Sequence, residues 1–307
     1  MQTRQFLSVL VLLALNCGSD FEARGADNRP KRVLLIGQGP DTHKPSTHEY
    51  MAGVRILYAM LHKVEGLQPV IVRADGKWEG GPDLIDSADG AFIFVSQGAK
   101  WISDDQARLA AFQRLEKRGG GLACWHWGMG TRTAEPIAAF VELFGGCHGG
   151  PDRKHRVMKN IDVGVATPDH PIARKIQPFT ITEEFYYALK FGPDPKRVTP
   201  LLTISQDGSR HTVGWAWNRP SGGRSFGFSG GHFHDTWQRA EYRRLAAQGV
   251  LWVMKLEPPK GLSFDVPDFA LKLKPQSANG ATPNQSLKKK LKKRTESGNT
   301  PPRPGIR

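Results

Sequence analysis

Short apolar runs that alternate with helical patterns constrain the fold of this chain more than any other feature of its sequence. The runs are KRVLLIGQG (31–39), QPVIVRAD (68–75), GAFIFVSQG (90–98) and GGLACWHWG (120–128), and their apolar centres are typical of strands buried in a parallel sheet. Between the first two, Val54, Leu57 and Leu61 recur at helical spacing. This alternation predicts an α/β fold, a mostly parallel sheet with helices on both faces.

Capping boxes and a change of pattern define the limits of the predicted elements. Ser46 with Glu49 predicts the start of the first helix, and Ser103 with Gln106 predicts a second helix that closes at Gly119. After about residue 150 the runs are shorter and indicate strands, two of them paired as a hairpin around NRPSGG. A last helical pattern, WQRAEYRRLAAQGVLWVMK, completes an ordered domain expected over residues 30–259.

The N-terminus is typical of a signal peptide. Residues 1–26 have a basic start, an apolar run and then small residues, and the run is far shorter than the roughly 20 apolar residues of a membrane-spanning helix. We therefore expect export to the periplasm or the medium, with no transmembrane segment. Cys17 is a candidate for lipid attachment, but Leu15-Asn16 before it is a poor lipobox, so a lipoprotein is the less favoured alternative.

The C-terminal tail, residues 260–307, carries most of the net charge of +14. From Lys272 to Arg307 there are ten Lys/Arg and one Glu, among many Pro, Ser and Asn residues, a composition that predicts disorder. The tail is either a solvated charge run or a contact for anionic envelope polymers. The remaining body is only mildly basic and has no basic stripe interleaved with aromatics, so we expect no nucleic-acid partner.

Polar residues cluster at four places near the ends of predicted strands, and ligands in open α/β sheets bind beyond the carboxyl ends of the strands. We expect the four clusters to converge on one pocket. They are His43, His48 and Glu49 after the first strand; His126 between Trp125 and Trp127; Glu183 and Glu184 beside Tyr186; and His232, His234 and Asp235 after a glycine pair.

The histidines suggest a metal site. His232 and His234 are two residues apart and would point to the same side of a strand, and neutral imidazoles are common ligands of zinc and similar ions. One divalent metal ion is therefore expected, with its ligands among the five histidines of these clusters: His43, His48, His126, His232 and His234.

Each cluster also has a plain structural alternative. Glu49 could serve only as the capping partner, and His126 could be a hydrogen-bonded core histidine. His232 and His234 could lie on a polar sheet edge. Strand alternation predicts that only one of Glu183 and Glu184 points inward, with the other a solvated neighbour.

Several sharper motifs are excluded. HEYMA (48–52) lacks the second histidine of a zincin helix, and GQGPDT lacks the third glycine of a dinucleotide fingerprint, so no nucleotide cofactor is expected. The turn after CWHWG resembles the position of a nucleophile elbow but carries His126 rather than serine or cysteine. Cys124 is expected to be a buried thiol, and a bridge between Cys124 and Cys147 is left open.

With these residues in view, the chain resembles the ThuA-like (trehalose utilisation) family over residues 31–257. Five segments follow the family's order: THKPSTHEYMAG, RGGGLACWHWG, DHPIARKIQPFTITEEFYY, GWAWNRPSGGRSFGFSGGHFHDTW and YRRLAAQGVLWV. The resemblance implies a flavodoxin-like, class I glutamine amidotransferase-like three-layer sandwich. It also implies a pocket lined by polar residues at His43, His48, Glu49, His126, Glu184, Arg224, His232 and His234.

The resemblance further implies a role in the metabolism of disaccharides or oxidised (keto) sugars. The amidotransferase cysteine is absent, so glutamine hydrolysis is not implied, and Glu183-Glu184 stands where the family often has Asp-Glu. We expect a sugar-active enzyme, a keto-glycoside lyase or hydrolase, with Glu184 and His126 catalytic; the alternative is a carbohydrate-binding protein without turnover. The expected substrate contacts are Trp125, Trp127, Tyr186, Arg224 and Glu49.

Overall fold

The structure is a computed structural model that describes residues 29–192 and 194–273. The predicted signal peptide, residues 1–26, and the tail from residue 274 onward lie outside the described residues. No helix in the described ranges is long and apolar enough to cross a membrane.

One mixed sheet of nine strands forms the centre of the fold, in the order β2-β1-β3-β4-β11-β10-β9-β6-β7. The first five of these are all parallel and have the flavodoxin-like order 2-1-3-4-5. The remaining four continue the sheet in antiparallel pairs. The strands are β1 (Lys31–Gly37), β2 (Leu67–Arg73), β3 (Gly90–Phe94), β4 (Gly121–Trp125), β5 (Gly146–Cys147), β6 (Lys154–Val165), β7 (Phe179–Tyr187), β8 (Lys190–Phe191), β9 (Val198–Gln206), β10 (Ser209–Asn218) and β11 (Arg224–Phe228); β5 and β8 form a separate small pair.

Two groups of helices pack against the sheet. The helices Tyr50–Leu61 and Ala240–Val253 contact each other. The four helices that lie between β2 and β5 in the sequence contact one another and form the second group. The predicted three-layer α/β sandwich is therefore confirmed. The helices are α1 (Tyr50–Leu61), α2 (Gly81–Asp86), α3 (Gly98–Ser103), α4 (Gln106–Lys117), α5 (Ile137–Phe144), α6 (Ala240–Val253) and α7 (Asp268–Leu271).

The predicted helix starts differ from those observed. Ser103 ends α3 instead of opening a helix, and the side chain of Asp105 caps α4 by accepting from the N–H of Arg108. Glu49 is itself the N-cap of α1 and accepts from the N–H of Ser46 at 3.0 Å. Ser46 and Glu49 therefore interact, but Glu49 occupies the N-cap position itself, three residues before the N3 position that it would have in a capping box.

The core is filled by the centres of the parallel strands and by aromatic rings. Trp125, at the end of β4, is fully buried and packs against Phe228 and Trp237, with ring centroids 4.7 and 5.2 Å away. Cys124 and Cys147 are both buried and free, so the disulfide that the sequence left open is not formed.

The ordered body extends beyond the predicted boundary at residue 259. Phe264 is buried, and its carbonyl oxygen accepts from Nε of Arg243 at 2.7 Å. Further along, α7 follows, and the carbonyl of Leu271 bonds to His234. Residues 260–273 were expected to belong to the disordered tail, but their few apolar side chains are enough to attach them to α1 and α6.

The far edge of the sheet curls back over its middle. Although β7 is the last strand in the sheet order, the ring of Phe185 lies 6.1 Å from that of Phe228 in β11. The hydroxyl of Tyr242 in α6 also reaches the carboxylate of Glu183 in β7. This curl brings the side chains of β7 to the carboxyl ends of the parallel strands.

Candidate functional site

Four segments meet at the carboxyl edge of the parallel strands. The loop after β1 provides residues 41–48, the turn after β4 provides His126, and the segment after β11 provides His232. The curled strand β7 provides Glu184 and Tyr186. The first three positions lie beyond the carboxyl ends of parallel strands, where ligands of open α/β sheets bind.

Three imidazoles and one carboxylate converge there. Nε2 of His48 lies 2.9 Å from Nδ1 of His232 and 3.1 Å from Nε2 of His126. Oε2 of Glu184 lies 3.2 Å from Nδ1 of His232 and 3.7 Å from Nε2 of His126. The four donor atoms all lie within 4.8 Å of one another, so together they could hold a metal ion.

The outer partners of two imidazoles fix their tautomers. Nδ1 of His126 lies 2.7 Å from the carbonyl oxygen of Ser229, so it carries the proton and Nε2 presents a lone pair. The hydroxyl of Tyr50 donates to Asp41 at 2.6 Å, and its oxygen therefore accepts from Nδ1 of His48 at 2.9 Å. Nε2 of His48 consequently also presents a lone pair to the site.

Burial keeps both of these imidazoles neutral. His126 is fully buried, which lowers its pKa well below the ordinary value, and the neighbouring histidines lower it further. Burial also lowers the pKa of His48, although the hydrogen bond that its Nδ1–H also donates to the Asp41 carboxylate, 3.4 Å away, opposes this shift. Two neutral nitrogens with lone pairs thus face each other across 3.1 Å.

Asp41 supports the loop after β1 and was not singled out from the sequence. Its carboxylate accepts from Tyr50 and from Nδ1 of His43, the latter at 2.7 Å. The ring of His43 stacks on that of His48 with centroids 3.6 Å apart. Burial alone would raise the pKa of Asp41, but its hydrogen bonds to His48, Tyr50 and His43 outweigh burial and lower it.

The two glutamates of β7 point in opposite directions, as alternation predicts. Glu184 faces the pocket; burial alone would raise its pKa, but the hydrogen bond and charge of His232 lower it. Glu183 is not the solvated neighbour that we expected, because the curl of β7 makes its other face part of the core. It is fully buried and accepts from the N–H groups of Gly231, His232 and Glu184 at 2.8–3.2 Å.

Glu183 therefore fastens the segment that presents His232 to the site. Burial raises the pKa of Glu183 to about 7, although the N–H donors of Gly231 and Glu184 lower it. Its fourth donor is the hydroxyl of Tyr242 at 3.2 Å.

An aromatic wall completes the pocket. The ring of Tyr186 is stacked between those of His126 and His148, at 4.4 and 4.0 Å, and its hydroxyl lies 3.0 Å from Nε2 of His126. Trp127 stands edge-on to Tyr186 at 5.7 Å. The cavity is open to solvent, measures about 120 Å³ and is lined by His43, His48, Trp127, Arg132, His148, Arg153, His155, Glu184, Tyr186 and His232.

Four predicted site residues are not brought into this pocket. Nε2 of His234 bonds to the carbonyl of Leu271 at 2.8 Å, because the chain leaves the extended form and a 3₁₀ helix begins at His234. Arg224 begins β11 at the opposite end of the strand and bonds to the carbonyl of Trp252. Trp125 is core, and Glu49 is occupied at the helix start.

Comparison with known proteins identifies the chain's relatives. Residues 87–253 match the sequence model of ThuA, described as trehalose utilisation, which covers more than half of the chain. The chain belongs to the ThuA family. No match was found among curated proteins.

Two solved ThuA-like structures show the same fold as this ThuA family member. A ThuA-like protein from Parabacteroides merdae aligns with a TM-score of 0.56 at 14% identity, covering 74% of this chain and 90% of that one. A ThuA-like protein from Bacteroides uniformis gives 0.54 at 15% identity, with coverages of 76% and 95%. The glutaminase domain of Trypanosoma brucei CTPS gives 0.42 at 12% identity, with coverages of 76% and 98%.

Proposed function

We propose that this ThuA family member is an exported sugar-active enzyme that uses one divalent metal ion held by His48, His126, His232 and Glu184. The convergence of three imidazole nitrogens and one carboxylate oxygen in a single pocket carries this proposal. Because neutral nitrogens that present lone pairs repel one another, a cation between them would turn an unfavourable contact into ligation.

Four of the six donor-atom spacings are close to those around such an ion, and the other two pairs, His126–His232 and His48–Glu184, lie within 4.8 Å. With zinc–nitrogen bonds of about 2.0–2.1 Å, tetrahedral ligand atoms lie roughly 3.3–3.4 Å apart. The nitrogen pairs at 2.9 and 3.1 Å need to open by only a few tenths of an ångström. The remaining ligand atom, Oε2 of Glu184, already lies at 3.2 and 3.7 Å from two of the nitrogens.

The partners of the outer nitrogens also support ligation. Metal-bound imidazoles usually donate their other N–H to a carbonyl or a carboxylate, which fixes the ring and raises its basicity. His126 does so through the carbonyl of Ser229, and His48 does so through Tyr50 and Asp41.

The residues around these ligands suit a sugar. When bound, a divalent ion would polarise a hydroxyl or carbonyl oxygen, as a disaccharide or keto-sugar offers. Burial raises the pKa of Tyr186 well above its ordinary value, so its hydroxyl keeps a proton to donate to a substrate oxygen. Glu184 would act as ligand and as proton acceptor through different oxygens, and Trp127 offers an aromatic wall to the ring.

Elemental analysis of the purified chain tests the metal site. We expect one equivalent of a divalent metal, lost in His126→Ala and retained in His62→Ala, a matched control because His62 is exposed at the end of α1. Metal content at background in the wild-type chain, or content unchanged in His126→Ala, would contradict the metal site.

Incubation with keto-disaccharides, followed by NMR of the products, tests the reaction. We expect glycosidic cleavage that requires the metal and is lost in His126→Ala. Binding of the keto-disaccharide without turnover would instead support the alternative of a carbohydrate-binding protein.

A further inference from the structure

Two guanidinium groups line the pocket without a carboxylate partner. Arg132 follows the turn after β4 and is exposed, whereas Arg153 lies half-buried in the loop before β6. Arg153 donates to the carbonyl of Gly150 at 3.1 Å. Within residues 29–192 and 194–273, neither arginine forms an ion pair with an aspartate or glutamate.

Two cations near these arginines but outside the pocket do have carboxylate partners. Lys190 bonds to Asp152, and Arg156, on β6, pairs with Asp207. Arg132 and Arg153 differ from these two in facing the pocket without such a partner.

The pocket itself carries a surplus of positive charge. Glu184 is the one carboxylate among its lining residues, and it is engaged with His232 and His126. The positive charge of the wall reaches the interior: burial, together with the charges of His155, Arg153 and Lys190, lowers the pKa of His148 to about 3. A divalent cation on the four proposed ligands would add to the surplus.

We infer that the substrate is an acidic sugar whose carboxylate or phosphate is bound by Arg132 and Arg153. This inference rests on the proposed function, since it takes the sugar ring to lie against Trp127 and Tyr186. The planar fork of a guanidinium matches the oxygens of either anion, and such charge-assisted hydrogen bonds are stronger than neutral ones.

The shape of the pocket agrees with an acidic group bound at its mouth. The cavity of about 120 Å³ is open to solvent, so one sugar unit can enter while the rest of the substrate stays outside. Arg132 is exposed and Arg153 is half-buried, so both can reach an anion that does not enter fully.

Calorimetric titration of the full, zinc-loaded chain tests the inference with matched probes. The probes are methyl glucoside against methyl glucuronide for a carboxylate, and glucose against glucose 6-phosphate for a phosphate. We expect one acidic probe to bind at least about ten-fold more tightly than its neutral partner, with an affinity that falls as salt rises. The pair that shows the difference identifies the anion.

Variants assign the preference to the two arginines. The double variant Arg132→Gln/Arg153→Gln should lose the ten-fold preference while neutral probes bind as before. Arg156→Gln, which removes a cation from β6 outside the pocket, should keep it. Equal binding of acidic and neutral probes, or a preference that survives in the double variant, overturns the inference.

The metal content of the same samples separates this inference from the proposed function. The double variant should retain one equivalent of metal, because neither arginine contacts the four ligands. Full metal loading and cleavage of neutral keto-disaccharides, without any preference for acidic probes, would overturn the acidic substrate alone. Absence of metal and of turnover would overturn the proposed function instead.

Discussion

Gly231 joins the core to the site, and replacing it with alanine should damage both. This glycine has φ +107°, a backbone conformation that side-chain-bearing residues rarely adopt. A Cβ atom there would lie 2.1 Å from Nε1 of Trp125, a ring that is fully buried between Phe228 and Trp237 and cannot move aside. The next residue is His232.

Two costs determine the expected size of the effect. The left-handed backbone costs an L-residue on the order of 1–3 kcal/mol. The overlap with a packed ring costs on the order of 1–3 kcal/mol more. We therefore expect Gly231→Ala to lower the free energy of unfolding by about 2–6 kcal/mol, and to weaken metal binding because the chain must shift where it presents His232.

Urea unfolding measures the loss of unfolding free energy in Gly231→Ala, and a matched control isolates the cost of the overlap with Trp125. Gly222 also has a positive φ, +80°, but a Cβ there meets nothing within 4 Å, so Gly222→Ala should show the backbone cost alone, about 1–3 kcal/mol. A double-mutant cycle with Trp125→Phe should recover about 1–2 kcal/mol of the difference, since the two sites are in contact. Equal losses in Gly231→Ala and Gly222→Ala would refute the reasoning.

Three further predictions concern other groups. Asp41→Asn should weaken metal affinity by roughly 10–100-fold, because the hydroxyl of Tyr50 that orients His48 loses its charged acceptor; chelator competition measures this, and an unchanged affinity would contradict the assigned tautomer. Burial, followed by the charges of Arg224 and Arg174, lowers the pKa of His170 to about 4. The contribution of His170 to stability is therefore present above its unfolded pKa, about 6.5. That contribution is lost as the pH falls toward about 4. His170→Asn keeps an oxygen that can accept from the N–H of Ile172, as Nδ1 does now; thermal unfolding from neutral pH to pH 4 should therefore show a smaller loss of stability than in the wild-type chain, and identical pH profiles would count against this role. Cys124 and Cys147, both buried and free, should react with a thiol reagent only after denaturant is added; rapid labelling of either one in the folded chain, located by peptide mapping, would show that the packing around them is wrong.

The predictable part of this molecule follows from apolar periodicity. The runs that became β1, β3 and β4 are buried along most of their length, whereas β2, at the edge of the sheet, is buried at Leu67 and Val72. Such runs separated by helical patterns have few ways to pack. The polar residues that follow β1, β4 and β11 could be placed at one edge for the same reason. The structure brings His43, His48, His126, Glu184 and His232 to one pocket.

The parts that could not be predicted depend on local breaks in periodicity and on contacts distant in sequence. His232 and His234 share a face only while the strand continues, and the chain leaves the sheet at β11 before reaching them. The burial of Glu183 depends on the curl of β7, which no local pattern encodes. Asp41 and His148 lie in loops where isolated polar residues are common, and only the folded chain gives them partners.

The curl of β7 also determines when the pocket can exist. His48 and His232 touch across 184 positions of sequence, and Glu184 reaches them only after the antiparallel half of the sheet has folded over the parallel half. Such long-range pairing forms late in folding. A ligand that bridges these side chains would join the two halves of the sheet, so its binding would oppose their separation. At a hundred times its dissociation constant, such a ligand would add about 2.7 kcal/mol to the free energy of unfolding of the entire domain.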